Sequence, residues 1–375
     1  MYNSKTLLSM AVAAALGATS FAASAEGPTV YGDIAVALTY TTKSTDAGKA
    51  SYALNDNVSL LGVKGDAAAI EGTKFIYDFN FILNQGGVLP LTHLSTIGLD
   101  GGFGTASVGL RENGLFLGMV DGSTYQTNWF YTPGMSALQV SNAITYISKP
   151  AGGLKLGVQA FDFGKDGDSG KTTNNYTLAG SYEMGGLTFG LGYTKYSDYA
   201  DGTAQYTAST DPNQFGEATN TFAGQVLKNT LGLSAGYKTD MFGVVAAYDV
   251  RKPTDKLAAL DLDPTSATFG DYIVSAQNTS TIKTLMLTGS FSATKTVTLV
   301  ANVSNTSQSD DGAIKGAKGT IFTLMASYAP ADNLFFSIEL QNSNKDANET
   351  GVTGATGAGG TKSNSGLALG ATYSF

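Results

Sequence analysis

Apolar and polar residues alternate with a period of two along most of the chain. Residues 187–194 place Leu, Phe, Leu and Tyr on one parity and Thr, Gly, Gly and Thr on the other. The last ten residues, 366–375, repeat this pattern, with Tyr373 and Phe375 on the apolar parity. Successive side chains of a β-strand point to opposite faces, whereas a helix places its apolar residues three or four positions apart. The alternation therefore predicts an all-β fold.

The charged residues of these segments share the parity of the small and polar residues. Lys74 and Asp78 lie opposite three phenylalanines and a tyrosine, and Asp249 and Arg251 lie opposite two valines, an alanine and a tyrosine. A charge that faced lipid at the middle of a bilayer would cost about 2–4 kcal/mol. We therefore predict the wall of a transmembrane barrel, with its apolar parity toward lipid and its polar parity toward a lumen, rather than a water-soluble sandwich.

The connections between the predicted strands alternate in length, which is the layout of an outer-membrane barrel with short turns at one rim and long loops at the other. Counting them predicts a sixteen-stranded antiparallel barrel, wide enough to hold water. An even number of strands leaves both chain ends at the short-turn rim, where Tyr373 and Phe375 would join an aromatic girdle. Short turns are predicted near 68–72, 100–104, 149–153, 183–186, 239–243, 292–295 and 329–332, and long segments near 43–50, 85–93, 113–142, 164–173, 198–228, 253–280, 305–317 and 346–363.

The N-terminal residues are typical of a secretory signal peptide. One lysine precedes an apolar run over about 7–18, and small residues end at Ala25. That run is too short to span a membrane, and we predict cleavage after Ala25. The predicted organisation is a signal peptide over 1–25 and one barrel domain over 26–375.

Composition narrows the function classes further. The chain contains 22 Lys and Arg residues against 30 Asp and Glu residues, so no basic surface for nucleic acid is predicted. It has no cysteine, which excludes disulfides and thiolate metal sites. Only 14% of residues are charged, while 47 glycines, 19 tyrosines and 19 phenylalanines are present. An exported chain of this composition and alternation indicates an outer-membrane barrel.

Several stretches resemble the Gram-negative general porin family, most closely its beta-proteobacterial branch. They are "SLLGVKGDAAAIEGTKFIYDFNFILNQG" (59–86), "GGFGTASVGLRENG" (101–114), "SNAITYISKPAGGLKLGVQ" (141–159) and the terminal "ATYSF". The resemblance implies a homotrimer of sixteen-stranded barrels in the bacterial outer membrane, in contact with lipid and lipopolysaccharide. It also implies that the third long loop folds inward and narrows a channel for ions and small hydrophilic solutes.

The same resemblance implies a set of residues at the constriction. Arg111 would point into the lumen at the end of strand five, Glu112 and Asp121 would belong to the inward loop, and Lys74 would face that loop across the pore. The parity of residues 105–111 also directs Arg111 toward the lumen.

Two positions that are usually or often arginine in the family are Leu60 and Thr145 here. With the acidic balance of the chain, this thinner set of basic residues predicts weak to moderate cation preference. The other predicted pore-lining residues are Leu60, Asp78, Thr145, Asp249 and Arg251.

Three alternatives remain beside a general channel: a channel specific for a sugar or another small solute, a barrel enzyme, and an adhesin. The chain offers one histidine, His93, and a Ser169-centred triad would need it as the base, so we predict that the protein is not an enzyme. No cofactor is predicted. Acidic pairs in the predicted outer loops, at 166 and 168, 261 and 263, and 310 and 311, could weakly hold Ca²⁺ or Mg²⁺.

Overall fold

A computed structural model provides the structure of the chain. It describes residues 28–42, 50–56, 59–70, 72–83, 91–121, 139–161, 175–196, 221–222, 225–253, 256–260, 272–276, 281–309, 318–343 and 364–375. The predicted signal peptide therefore lies outside the described residues.

Twenty strands and one short π-helical turn make up the described structure. No helix in this part of the chain is long and apolar enough to cross a membrane. The π-helical turn is Leu117–Asp121. The strands are β1 (Thr29–Thr41), β2 (Ser51–Asp56), β3 (Leu60–Ile70), β4 (Thr73–Ile82), β5 (Leu91–Gly101), β6 (Gly104–Asn113), β7 (Gln139–Ser148), β8 (Leu154–Phe161), β9 (Asn175–Met184), β10 (Leu187–Lys195), β11 (Thr221–Phe222), β12 (Gln225–Lys238), β13 (Phe242–Pro253), β14 (Lys256–Leu260), β15 (Tyr272–Ala276), β16 (Ile282–Ser292), β17 (Val297–Gln308), β18 (Lys318–Ala331), β19 (Leu334–Ser343) and β20 (Asn364–Ser374).

Sixteen of the described strands form one closed antiparallel barrel, as predicted. The wall strands are β1, β3 to β10, β12, β13 and β16 to β20, and each pairs with the next around the barrel. The barrel closes where β20 pairs with β1, from Asp33 opposite Ser374 to Thr41 opposite Gly366. Two further pairings extend this wall: β2 continues the line of β3 along β1, and β11 pairs with the start of β12.

The two faces of the wall have opposite chemistry. On β16, Leu285 and Leu287 point outward and are 53% and 50% exposed, whereas Thr284 and Thr288 point inward and are buried. The same alternation of exposed apolar and buried polar residues runs along β17, β18 and β19. A soluble sandwich would bury its apolar side instead. This arrangement confirms the prediction of a transmembrane barrel, because only lipid covers an outer belt of apolar side chains.

Glycine turns form part of the short-turn rim. Gly152 and Gly153 precede β8, and Gly185 and Gly186 join β9 to β10; all four have positive φ values between 57° and 88°. Two successive residues with positive φ make the turn whose twist matches that of the flanking strands, and glycine adopts this conformation without strain. The short turns predicted at 149–153 and 183–186 are therefore confirmed.

Exposed aromatic residues surround the same rim. They flank the short turns and point outward at about half exposure, as an aromatic girdle at a membrane interface requires. Tyr373 and Phe375 belong to this group, as predicted, and their ring centroids lie 6.4 Å apart. The other large aromatic members on this rim are Phe103, Tyr237, Phe242, Phe291 and Tyr328.

The structure differs from the sequence prediction in three connections. His93 lies within β5, although we expected it at the end of the loop before that strand. Glu112 is the penultimate residue of β6, so its assignment to the inward loop is wrong. The segment predicted as one long connection over 253–280 contains a separate hairpin, β14 paired with β15. Tyr, Ile and Val residues in β15 favour a strand locally, and a parity count across the whole loop does not detect so short a pair.

Phe375 closes the barrel against Gly32. The backbone N–H of each residue donates to the carbonyl oxygen of the other, at 3.0 Å in both directions. A Cβ atom on Gly32 would lie 2.7 Å from the Phe375 ring and 2.6 Å from the Leu60 carbonyl oxygen. Only glycine allows the final strand and its ring to approach β1 this closely.

We expect Gly32→Val to destabilise the barrel by about 1–3 kcal/mol, because added methyl groups would push the closing strands apart. The measurement is the urea concentration at which the folded, heat-modifiable band on a gel is lost. Gly289→Val is the matched control, since a Cβ there meets nothing within 4 Å. Equal urea midpoints for the two variants would contradict this account of closure.

Candidate functional site: the channel interior

The chain folds inward directly after β6 and lies on the inner wall of the barrel. Residues 115 and 116 and the π-helical turn that follows place four apolar side chains at helical spacing. Leu115, Phe116, Met119 and Val120 are all at most 7% exposed. We call residues 114–121 the inward segment. Its position agrees with the loop that the family resemblance implied, for the part of that loop the structure describes.

The inward segment spans several strands of the wall through two apolar contacts. Leu115 and Met119 pack with Ala179 of β9 and Ile147 of β7. Phe116 and Val120 pack with Ala247 of β13 and Met286 of β16. Residues four apart in a helix lie on the same face, so Leu115 and Met119 contact one part of the wall and Phe116 and Val120 contact another. The segment is therefore attached to the wall along its length rather than only at its start.

A polar network fixes the beginning of the inward segment. Gln159 of β8 is fully buried; its Nε2 donates to the Asn113 carbonyl oxygen and to Thr145 Oγ1, both at 2.9 Å. The Leu115 N–H donates to Gln159 Oε1 at 3.0 Å. Thr145 Oγ1 donates to a carboxylate oxygen of Glu112. We call these side chains of Glu112, Thr145 and Gln159 the hinge network, because they hold the point where the chain leaves the wall.

The hinge network assigns a different role to two predicted pore residues. Glu112 is only 4% exposed, and Thr145 is also buried. Both lie on the inner wall, but they contact each other and Gln159 instead of an open channel. The Glu112 carboxylate therefore helps to hold the start of the inward segment through its hydrogen bond with Thr145.

Arg111 and Asp121 are located only by their backbone. Arg111 lies in β6 and Asp121 ends the π-helical turn, while their side chains are outside the described part of the structure. The pairing of β5 with β6 shifts between Ser95–Arg111 and Thr96–Gly109. A bulge of this kind interrupts the period of two, so the parity count through residue 110 does not extend to Arg111. Its direction into the lumen stays a prediction.

A second polar surface lies on the inner wall toward the short-turn rim of β1, β3 and β4. Lys74 Nζ lies 2.6 Å from Asp66 Oδ2, on exposed side chains. The Tyr31 hydroxyl donates to Asp78 Oδ1 at 2.5 Å and accepts from Asn80 Nδ2 at 2.8 Å. Asp78 therefore lines the inner wall. Lys74 is the second residue of β4 and lies beside the short turn, where it forms an ion pair with Asp66.

Basic and acidic side chains alternate on this surface. Lys64 Nζ lies 4.7 Å from the centre of the Tyr31 ring, a distance suited to a cation–π contact. Lys64 is directly opposite Asp78, and Lys74 is directly opposite Asp100 on β5. We call the inner-wall side chains of β1, β3, β4 and β5 at this end the rim ladder. Leu60 lies further from the short-turn rim, paired with Asp33 on one side and Ile82 on the other.

Asp249 and Arg251 form a buried ion pair on the inner face of β13. Arg251 Nη2 lies 2.5 Å from Asp249 Oδ2, and both side chains are at most 1% exposed. Both side chains lie on the inner parity of β13, which is the parity predicted for pore-lining residues. They are covered, however, so their charges act within the wall and not at a water-exposed surface.

Other predicted residues lie outside the described part of the chain. They are Ser169 and the acidic pairs at 166 and 168, 261 and 263, and 310 and 311. No cluster of three or more metal-ligating side chains occurs among the described residues. Binding of Ca²⁺ or Mg²⁺ at the outer loops stays a prediction.

Comparison with known proteins agrees with this geometry. The family profile described as Gram-negative porin matches residues 11–375. The chain belongs to the Gram-negative porin family. With its closed barrel and inward segment, this porin is a channel-forming protein of the bacterial outer membrane. Family and fold indicate a channel rather than an enzyme.

Several solved structures share the fold at low sequence identity. The anion-selective porin from Comamonas acidovorans has a TM-score of 0.66 at 16% identity, over 94% of this chain and 100% of that one. OmpF of Salmonella typhi, in complex with daunomycin, has a TM-score of 0.67 at 16% identity, over 93% and 97%. The trimer form of OmpT from Vibrio cholerae has a TM-score of 0.63 at 13% identity, over 93% and 99%. Among curated protein sequences, no significant match is found.

Sequence reasoning missed the residues that position the inward segment of this porin. Gln159 gives no sign of its role, because a single amide on the polar parity is ordinary for a pore wall. Tyr31 lies on the polar parity of β1, where a tyrosine among small residues such as Ala35 and Ala37 is a usable signal. Which of these residues meet depends on the closure of the barrel.

Proposed function

We propose that this porin is a general channel for the passive diffusion of ions and small hydrophilic solutes, with weak to moderate cation preference. The observation that carries the charge preference is the composition of the rim ladder. Its partly or fully exposed inner-wall residues include four carboxylates and two ammonium groups. They are Asp33, Asp66, Asp78 and Asp100 against Lys64 and Lys74.

Pairing within the rim ladder leaves its net charge unchanged. Each of the two lysines lies directly opposite an aspartate, and Lys74 also contacts Asp66, so these contacts weaken the fields of both partners and leave two carboxylates in excess. Carboxylates in excess along a pore raise the local concentration of cations, since fixed charge attracts counter-ions over distances of about 8 Å at physiological salt. The net acidic ladder therefore favours cations.

One structural relative has the opposite charge preference by its name. The Comamonas acidovorans protein is an anion-selective porin, and at 16% identity its likeness supports the fold of this chain alone. Charge preference depends on a few side chains at the water-filled path. At the two positions where the family often carries arginine, this chain has Leu60 and Thr145. This difference supports a preference distinct from that of the relative.

A channel specific for a sugar is the second candidate. Such a channel would present a row of exposed aromatic rings along its inner wall, on which sugar rings could stack. Among the described residues, most exposed strand aromatics point outward, and Phe161 and Tyr196 on the inner face are buried against each other. Tyr31 on β1 and Phe335 on β19 are partly exposed on the inner parity, which is too few for such a row. Saturable solute flux would support the specific channel, and linear flux supports the general one.

We also propose that the protein assembles as a homotrimer embedded in outer-membrane lipid and lipopolysaccharide. The trimer form of the OmpT structure supports this assembly by fold, and the outward apolar belt supports the lipid contact. Native mass measurement of the protein extracted from membranes tests the trimer. A monomer as the only species would overturn it.

Recording from planar bilayers in a salt gradient tests the function. We expect stepwise, ohmic single-channel currents and a reversal potential that shows K⁺ more permeant than Cl⁻, because the rim ladder is net acidic. Liposome swelling with sugars of increasing size should show passive flux limited by solute size. Absence of channels would overturn the proposed function, and a preference for chloride would overturn the charge assignment.

A further inference from the structure

Four glycines on the inner wall lie directly beneath the inward segment. A Cβ atom on Gly232 would lie 2.5 Å from Phe116 Cζ, and one on Gly192 would lie 2.7 Å from Val120 Cγ2. A Cβ on Gly190 would lie 2.5 Å from the Met119 carbonyl oxygen, and one on Gly157 would lie 2.8 Å from Leu115 and Met119 side chains. All four distances are shorter than ordinary van der Waals contacts, so a larger residue at any of these positions would force the facing atoms of the segment to move.

Backbone conformation does not require these glycines. The described glycines with positive φ are at turns or strand ends, and none of the four is among them. Glycine inside a strand weakens it and usually marks a close approach of another part of the structure. The wall therefore lacks side chains here because the inward segment occupies their place.

We propose that Gly157, Gly190, Gly192 and Gly232 form a niche that positions the inward segment and thereby sets the width of the channel. The inference rests on the proposed channel function, since it names what holds the constriction. We call this set the glycine niche. Phe116 is its anchor: the ring is 1% exposed and lies over Gly192 and Gly232, on two neighbouring strands.

The contact between segment and niche is apolar. Ala247 and Met286 complete the pocket around Phe116 and Val120. Apolar contacts are not screened by salt, whereas interactions between exposed charges weaken as ionic strength rises. The width of the channel should therefore depend little on salt concentration, while its charge preference should fall as salt is raised.

The first test fills the niche. We expect Gly232→Val to push Phe116 and the inward segment away from the wall and into the lumen. Single-channel conductance and the size of the largest sugar that enters liposomes should therefore fall. Gly289→Val is the matched control, because a Cβ there meets nothing within 4 Å. Adding Phe116→Ala to Gly232→Val should bring conductance back toward the wild-type value, since valine then occupies the volume of the missing ring. Conductance of Gly232→Val equal to that of wild type and Gly289→Val would overturn the proposal.

The second test does not depend on channel activity or on a folded Gly232→Val variant. The chain has no cysteine, so Val120→Cys with Gly192→Cys introduces a single pair. Because Val120 Cγ2 is one bond from its Cβ, the 2.7 Å separation puts the two Cβ atoms no more than about 4 Å apart, within reach of a disulfide. We expect a disulfide to form in outer membranes treated with a mild oxidant and to be seen, on a gel without reductant, as faster migration of the denatured chain.

Val120→Cys with Gly289→Cys is the control pair and should stay reduced, because Gly289 lies on the outward parity of β16. Failure of the first pair to join under mild oxidant would overturn the niche even if the wild type conducts. A wild type without channels, together with an efficient Val120–Gly192 crosslink, would instead overturn the proposed function and leave the position of the segment established.

Discussion

Replacing Gln159 by leucine is expected to lower the stability of the barrel by about 2–4 kcal/mol and to make the channel current noisy. The leucine fills a similar volume, but it removes the acceptor for the Leu115 N–H and the donor to Thr145 and to the Asn113 carbonyl. A buried donor or acceptor left without a partner costs about 1–3 kcal/mol. Because Gln159 is fully buried, water does not replace these bonds.

Two measurements check this expectation. The urea midpoint of the folded barrel reports the stability, and the variance of the open-channel current reports movement of the inward segment once its hinge is loosened. Asn305→Leu is the matched control, since Asn305 is exposed and makes one hydrogen bond, to Thr320 Oγ1 at 2.9 Å. Its stability should change by no more than about 0.5 kcal/mol. Equal effects of the two substitutions would contradict the role given to the hinge network.

Introducing arginine at Leu60 is expected to shift the reversal potential toward anions. Leu60 lies opposite Asp33, so the new guanidinium would offset one carboxylate of the rim ladder. A unit charge about 6 Å from a passing ion changes the energy of that ion by about 0.7 kcal/mol in a water-like dielectric. This corresponds to about a threefold loss for cations and a similar gain for anions.

Leu60→Met is the control for this substitution, because it keeps an uncharged side chain of similar volume and should leave the reversal potential in place. The shift for Leu60→Arg should also shrink as the salt concentration on both sides is raised, owing to screening. An unmoved reversal potential, or an equal shift for methionine, would show that the rim ladder does not set the charge preference.

These expectations assign width and charge preference to different parts of the interior. The inward segment, the glycine niche and the hinge network lie mainly on β7 to β16, whereas the rim ladder lies on β1, β3, β4 and β5. Variants at Gln159 or Gly232 should therefore change conductance more than ion preference. Variants at Leu60 should do the reverse.

The sequence by itself determined the wall. An alternation with a period of two reports on which side of a strand each residue lies, and membrane insertion makes that signal strict, since lipid excludes charge. The sixteen wall strands, the short glycine turns and the outward position of Tyr373 and Phe375 follow from this local rule. The same rule puts Asp78, Asp249 and Arg251 on the polar parity of their strands.

The tertiary structure decided how the interior is arranged. A bulge between Gly109 and Arg111 shifts the parity at the end of β6, and it directs Glu112 into a buried contact with Thr145. Parity cannot anticipate this, because one extra residue reverses every side chain that follows.

The sequence also could not predict the contacts that the inward segment makes with the inner wall. Phe116 meets Gly192 and Gly232 only because the inward segment crosses from β6 to β10 and β12, and Gln159 reaches Leu115 over a separation of 44 residues. A periodic pattern carries information about neighbours along one strand and none about which strands face each other inside a closed barrel. The face of the strand on which a residue lies is therefore local information, which the sequence carries. The residue that it contacts inside the barrel depends on how the strands close.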